Sequence, residues 1–163
     1  MMTHTPFLRR LRSDRRGTSA IEFAMIGPLL AVVAIGITDL ARGLSRKYEL
    51  EQASYRALEL VTVGSLVQDP ATSDYAYLKP EAAAAADVPE ANVTVSTWLE
   101  CNGTVQPFAS PCPNAAHQTA RFLTVTIRDT YQPMFAYGPL GEGFAGAVDG
   151  KIPLTARSTI RMQ

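Results

Sequence analysis

Groups that carry catalysis or bind metals are scarce in this chain. Its histidines are His4 and His117, and its cysteines are Cys101 and Cys112. Neither cysteine lies in a Cys-x-x-Cys pair, and the histidines do not complete a zinc-ligand spacing, so no metal site is expected. Neither histidine has a plausible nucleophile partner, and no carboxylate pair can be placed across a cleft from the sequence. The chain is therefore read as non-enzymatic, with no cofactor and no small-molecule substrate. The glycine- and aromatic-rich stretch from Met134 to Gly146 lacks both the GxxxxGK[ST] spacing and a strand-to-helix glycine turn, which excludes a phosphate loop. It reads as a surface loop open to inter-subunit contact.

Net charge is also missing: 15 basic residues balance 15 acidic ones. The balance hides an asymmetry. Residues 1–17 carry Arg9, Arg10, Arg12, Arg15 and Arg16 against Asp14, a net of +4, which leaves −4 on residues 18–163. An acidic body lacks the basic footprint of a nucleic-acid-binding domain. A basic head before an apolar segment fits a chain whose N-terminus stays in the cytoplasm while its body crosses the membrane. Taken alone, the arginines also suit a solvated arm.

Ala20 to Ile37 contains one charge, Glu22. As a helix these 18 residues would span about 27 Å, near the lower limit for crossing a bilayer. Gly27-Pro28 lies inside the segment, and Pro28 should kink or loosen the helix, which membrane helices tolerate. A secretory signal peptide is the alternative, with Ala34-Ile-Gly36 as a weak cleavage site. Against it, Ile37, Leu40, Ala41, Leu44, Tyr48, Tyr55 and Leu58 continue one apolar face at helical spacing. Asp39, Arg42, Arg46, Glu49 and Glu59 supply polar positions, and Lys47 and Glu51 form an i,i+4 pair. One helix from about Ser19 to Val63 is expected, its first half in the membrane and its second half amphipathic.

Glu22 is costly in hydrocarbon unless something neutralises it. Ser19 and Glu22 have capping-box spacing, and a carboxylate in a first turn suits the helix dipole. The capping box accounts for neither Gly17 nor the arginines upstream. Cleavage after Gly17 would leave a new amino terminus at Thr18, a ready counter-charge for Glu22.

Arg-Arg-Gly-Thr-Ser-Ala-Ile-Glu-Phe-Ala, an apolar run containing Pro-Leu-Leu, and Asp39-Leu-Ala-Arg-Gly43 before a helix rich in Ala and Gln together resemble the TadE-like minor pilins (pseudopilins) of Flp/Tad pilus systems. The resemblance covers about residues 15–60. In that family a prepilin peptidase cuts after a glycine that precedes four residues and a Glu-Phe or Glu-Tyr pair. The resemblance implies a cut between Gly17 and Thr18, with Glu22 and Phe23 as the fifth and sixth mature residues and 1–17 as the discarded leader. It also implies an inner-membrane subunit whose partners are the peptidase, other minor pilins and the Tad machinery, with a periplasmic body that can enter an extracellular pilus. Two departures stand out. Many members have a more continuous Leu/Val run than Gly27-Pro28-Leu-Leu-Ala-Val-Val, and relatives of the TadG type share the segment without a settled cleavage. An uncleaved, membrane-anchored assembly factor is thus the rival reading, and a membrane-tethered binding domain a more distant one.

The body, residues 64–163, is expected to be α+β and pilin-like. A loop marked by Asp69-Pro70 and Asp74 leads to a short helix over Pro80–Ala86, with Pro at its first position. Three strands follow, over 92–99, 122–131 and 151–161, with Leu123, Val125 and Ile127 on one face of the second. Pro153 suits an edge position. These strands form a small antiparallel sheet that buries its apolar face against the long helix. Cys101 and Cys112, with ten residues between them, sit in the loop joining the first two strands. A disulfide fits an extracytoplasmic body, and two free thiols are the alternative. Trp98 falls on the face opposite Leu99, as a core or interface aromatic or, less simply, a ligand platform.

Overall fold

Long-chain aliphatic residues and alanines dominate residues 18–64, and no proline follows Pro28 there, so one helix can run the whole way with a single backbone bond lost at Pro28. The computed structural model describes residues 17–64, 74–114, 116–134 and 146–162. Helix α1 occupies Thr18–Gly64 and continues through Pro28. The expected leader, most of the loop after Gly64 and most of the Met134–Gly146 stretch lie outside the described residues. The chain divides into two compact units between Ala41 and Arg42.

In the first unit α1 is exposed almost all round: Phe23, Met25, Leu29 and Val32 each leave more than 60% of their surface open. The second unit contains the rest of α1 and the body. There the helix buries Leu50, Ala53, Ser54, Ala57, Leu58 and Val61, a stripe at helical spacing.

This corrects the expected apolar face. Leu58 belongs to the core, but Ile37, Leu40, Leu44, Tyr48 and Tyr55 are exposed. At about 100° per residue, Tyr48 and Leu50 lie nearly opposite on the helix. Half of the core stripe, Ala53, Ser54 and Ala57, consists of small side chains. A reading weighted toward bulky residues therefore selects the other side.

Helix α2 spans Leu78–Ala86. The Asp74 carboxylate accepts from the Ala76 N–H at 2.9 Å and so shapes the approach to it. The helix starts two residues before Pro80, which lies in its first turn rather than at its first position. It ends where Asp87 takes a left-handed conformation (φ 51°) and the Val88 N–H returns to the Ala83 carbonyl. Its alanines serve packing: Ala82, Ala83 and Ala86 are buried in the same core as α1.

After a short 3-10 turn at Glu90–Asn92 come β1 (Val93–Cys101), β2 (Thr104–Gln106), β3 (Thr119–Tyr131) and β4 (Ile152–Met162). They form one antiparallel sheet in the order β2-β1-β3-β4. Its inner face presents Val93, Leu123, Val125, Ile127 and Ala156 to the core. The α+β class and the antiparallel sheet match expectation, and the strand number does not. The added strand, β2, lies inside the stretch read as a loop between the cysteines. Asn102 and Gly103, with φ of 55° and 83°, join Cys101 to its partner Thr104. Two left-handed residues are what a type I′ hairpin turn requires, and Asn-Gly is its sequence signature.

Cys101 and Cys112 are bridged, with Cα atoms 5.7 Å apart. The bridge ties the end of β1 to the segment beyond β2. β4 is an edge strand, which accommodates Pro153 near its start.

Two polar ties cross the core of this unit. Arg46 on α1 donates from Nε to Asp129 Oδ2 on β3 at 2.8 Å and from Nη2 to the Ala86 carbonyl at the end of α2 at 3.0 Å. Burial would lower the Arg46 pKa, but hydrogen bonds to Asp129 and Glu49 outweigh it, and the guanidinium is held above its ordinary value. Ser54 and Ser158 hydroxyls meet at 2.6 Å between α1 and β4. Ser54 donates to the Glu51 carbonyl, so Ser158 is the donor in that contact. At Gly43 an added Cβ would sit 3.4 Å from the Tyr131 ring of β3.

The corrected stripe predicts that Leu50→Ala costs about 2–5 kcal/mol, whereas Leu44→Ala stays within about 0.5 kcal/mol. Denaturant melts of the two variants check this, and equal losses would contradict the assignment. Replacing Cys112 by Ala should cost about 2–3 kcal/mol in the chain-entropy model. An unchanged melting midpoint would mean that the bridge constrains nothing.

Candidate functional site

The residues singled out at the N-terminus fall at the beginning of α1. Gly17 is exposed, lies in a 3-10 turn and immediately precedes Thr18, the first α-helical residue. Among the described residues nothing lies within 4 Å of where a Cβ at Gly17 would be. Thr18, Glu22 and Phe23 are exposed as well. Thr18 and Glu22 stand four residues apart, on the same side of the first turns.

The local explanations for Glu22 do not hold. With the helix beginning at Thr18, Ser19 is inside it and cannot act as the N-cap, so the Ser19–Glu22 capping box does not form. No acidic residue lies in the first turn of α1. Glu22 is its fifth residue, past the region where the helix dipole acts most strongly. Among the described residues Glu22 makes no hydrogen bond and no ion pair. The carboxylate therefore has no partner here, on a helix long and apolar enough to cross a membrane and with none of its apolar window buried.

Gly27 and Pro28 follow one turn later. α1 passes through them as helix, so Pro28 removes a bond to the Ala24 carbonyl without ending the element. The Phe23 ring lies near Gly27, 3.8 Å from where a Cβ would be. The bridged Cys101 and Cys112 belong to the body, at the β1–β2 end of the sheet.

Elsewhere the described residues offer little for chemistry. No group of three or more His, Cys, Asp or Glu side chains is placed to hold a metal among them. An open groove of about 460 Å³ between α1 and α2 is lined by Arg56, Glu59, Leu60, Val63 and Glu81. It brings no nucleophile and base together.

Several tertiary features had no local signal. The Arg46–Asp129 and Ser54–Ser158 pairs join residues 83 and 104 positions apart. Trp98 stacks on Phe122, its cross-strand partner, with ring centroids 5.3 Å apart and planes 15° from parallel. Each depends on strand register, which only the hydrophobic alternation of the strands could have suggested.

Residues 17–58, about a quarter of the chain, match the model of the TadE-like protein family. No curated protein and no solved structure matches the chain. The matched span starts at Gly17, contains Glu22, Phe23, Gly27 and Pro28, and runs into the half of α1 that packs on the body. The similarity to the TadE-like family is confined to residues 17–58, which include the part of α1 that is long and apolar enough to cross a membrane.

Proposed function

We infer that this chain is a minor pilin or pseudopilin-type structural subunit for assembly of a Flp/Tad pilus, processed by a prepilin peptidase after Gly17. The observation that carries the reading is the Glu22 carboxylate, without a partner among the described residues, four residues from Thr18 on an exposed apolar helix whose first residue follows the exposed Gly17. Cutting that peptide removes the arginine head and places a positive amine on Thr18. The mature helix then carries one cation and one anion at its tip.

In a bundle of such helices, Glu22 of one subunit pairs with the Thr18 amine of a neighbour. A charge left unpaired in apolar surroundings costs several kcal/mol, so the pair selects one axial register over others. The subunit lies in the bacterial inner membrane, with its leader in the cytoplasm and its bridged body in the periplasm. The disulfide supports that side of the membrane, because such bridges persist in oxidising compartments. Its partners are the peptidase, other minor pilins and the Tad machinery, and the protein performs no catalysis of its own.

The variants Glu22→Ala and Glu22→Gln test the pairing. Both should enter the membrane at wild-type levels. Recovery of partner pilins by co-purification should fall at least about tenfold, the consequence of losing roughly 1.4 kcal/mol or more of pairing. Wild-type recovery with either variant would contradict the pairing role.

A further inference from the structure

The outer face of the sheet, turned away from the core, has a composition that packing does not explain. Strand alternation puts Arg128 of β3 and Arg157 and Arg161 of β4 on this face, and all three are exposed. Among the described residues none of the three makes a hydrogen bond or an ion pair. The one carboxylate that these strands present on the same side, Glu100, accepts from Trp98 Nε1 at 3.1 Å. Three free cations thus share a face of a chain segment whose net charge is −4.

Their arrangement is extended. Arg128 pairs with Thr155, two residues before Arg157, so those two cations sit on a diagonal about 7–8 Å apart at their backbones. Arg161 lies four residues further along β4, about 13 Å away. Between them lie the exposed hydroxyls of Thr159 and, on β1, Ser96, with Thr159 also bonded at 2.7 Å to the buried Thr124 hydroxyl. At the Arg161 end the stacked Trp98–Phe122 pair forms a half-buried apolar ridge, with Phe122 directly opposite Arg161.

We propose that this face binds a linear acidic polysaccharide, its carboxylates on Arg128, Arg157 and Arg161, its hydroxyls on Thr159 and Ser96 and an apolar sugar edge on the Trp98–Phe122 ridge. Arginine is suited to planar carboxylates through paired N–H donors. Single-stranded nucleic acid fits less well. Its binders stack bases on free ring faces inside a strongly basic groove, whereas these two rings stack on each other and the surrounding segment is acidic. The inference is independent of the proposed cleavage and of Glu22, so either can fail alone.

The test uses the full-length chain in phosphatidylcholine nanodiscs and reads the emission of Trp98, the chain's single tryptophan. Polygalacturonate should change the emission saturably, and added salt should weaken the binding. The exposed double variant Arg157→Ala/Arg161→Ala should keep the wild-type melting curve and lose about tenfold or more in affinity. Dextran, which is neutral, should leave the emission unchanged. Absence of a saturable response to polygalacturonate would overturn the proposal, as would an equal response to dextran. Tighter binding of an oligo(dT) strand would overturn it in favour of nucleic acid. Wild-type affinity in a folded double variant would assign the arginines to guarding the β4 edge, and would also overturn it.

Discussion

One uninterrupted helix serves two different surroundings, and the rest of the structure depends on it. α1 runs as one helix from Thr18 to Gly64, with a single ladder bond missing at Pro28. A bilayer tolerates such a helix because its other internal backbone groups are satisfied within it. Its first half is apolar and exposed. Its second half narrows to a stripe of Leu50, Ala53, Ser54, Ala57, Leu58 and Val61, on which the inner face of the sheet and the alanine side of α2 close the core. Leu50, Leu58 and Val61 supply the larger side chains of the stripe, and Ala53, Ser54 and Ala57 the smaller ones.

Apolar packing alone would leave the rotation of α1 against the sheet weakly defined, because its opposite side is also apolar. Polar ties discriminate between the two sides. Arg46 reaches a β3 carboxylate and an α2 carbonyl at once, and Ser54 meets Ser158 in the buried interior. Turning Tyr48 and Tyr55 inward would strand these groups without partners. An unsatisfied buried polar group costs about 1–3 kcal/mol, more when charged. The polar pairs thus decide which of two apolar faces becomes the core.

Much of this was legible in the residues. Strand alternation placed Leu123, Val125 and Ile127 inward and Trp98 outward, Pro153 pointed to an edge, and the long helix began within one residue of its observed start. Two local signals were open to a different reading. Asn102-Gly103 announces a hairpin, yet the flanking cysteines invite reading the whole stretch as a stapled loop. Ser19 and Glu22 have capping-box spacing, but the helix begins one residue too early to use it. The core side of α1 was not legible, since Ala and Ser weigh little in a hydrophobicity pattern beside Leu44, Tyr48 and Tyr55. The same limit hides the arginine face, which exists only once register lays β3 beside β4.

At the N-terminus the constraint becomes chemical. A helix suited to hydrocarbon carries a carboxylate that neither a cap, a first-turn dipole nor a described neighbour neutralises, and Gly17 and Thr18 are exposed at the start of that helix. In the proposed reading, cleavage after Gly17 would place an amine on Thr18 that supplies the missing charge. Intact-mass and N-terminal mass spectrometry of the protein recovered from its native membrane tests this most directly. The account predicts a chain beginning at Thr18, with residues 1–17 removed. A chain retaining its arginine head, or one beginning at Ile37 after signal-peptide cleavage, would contradict it.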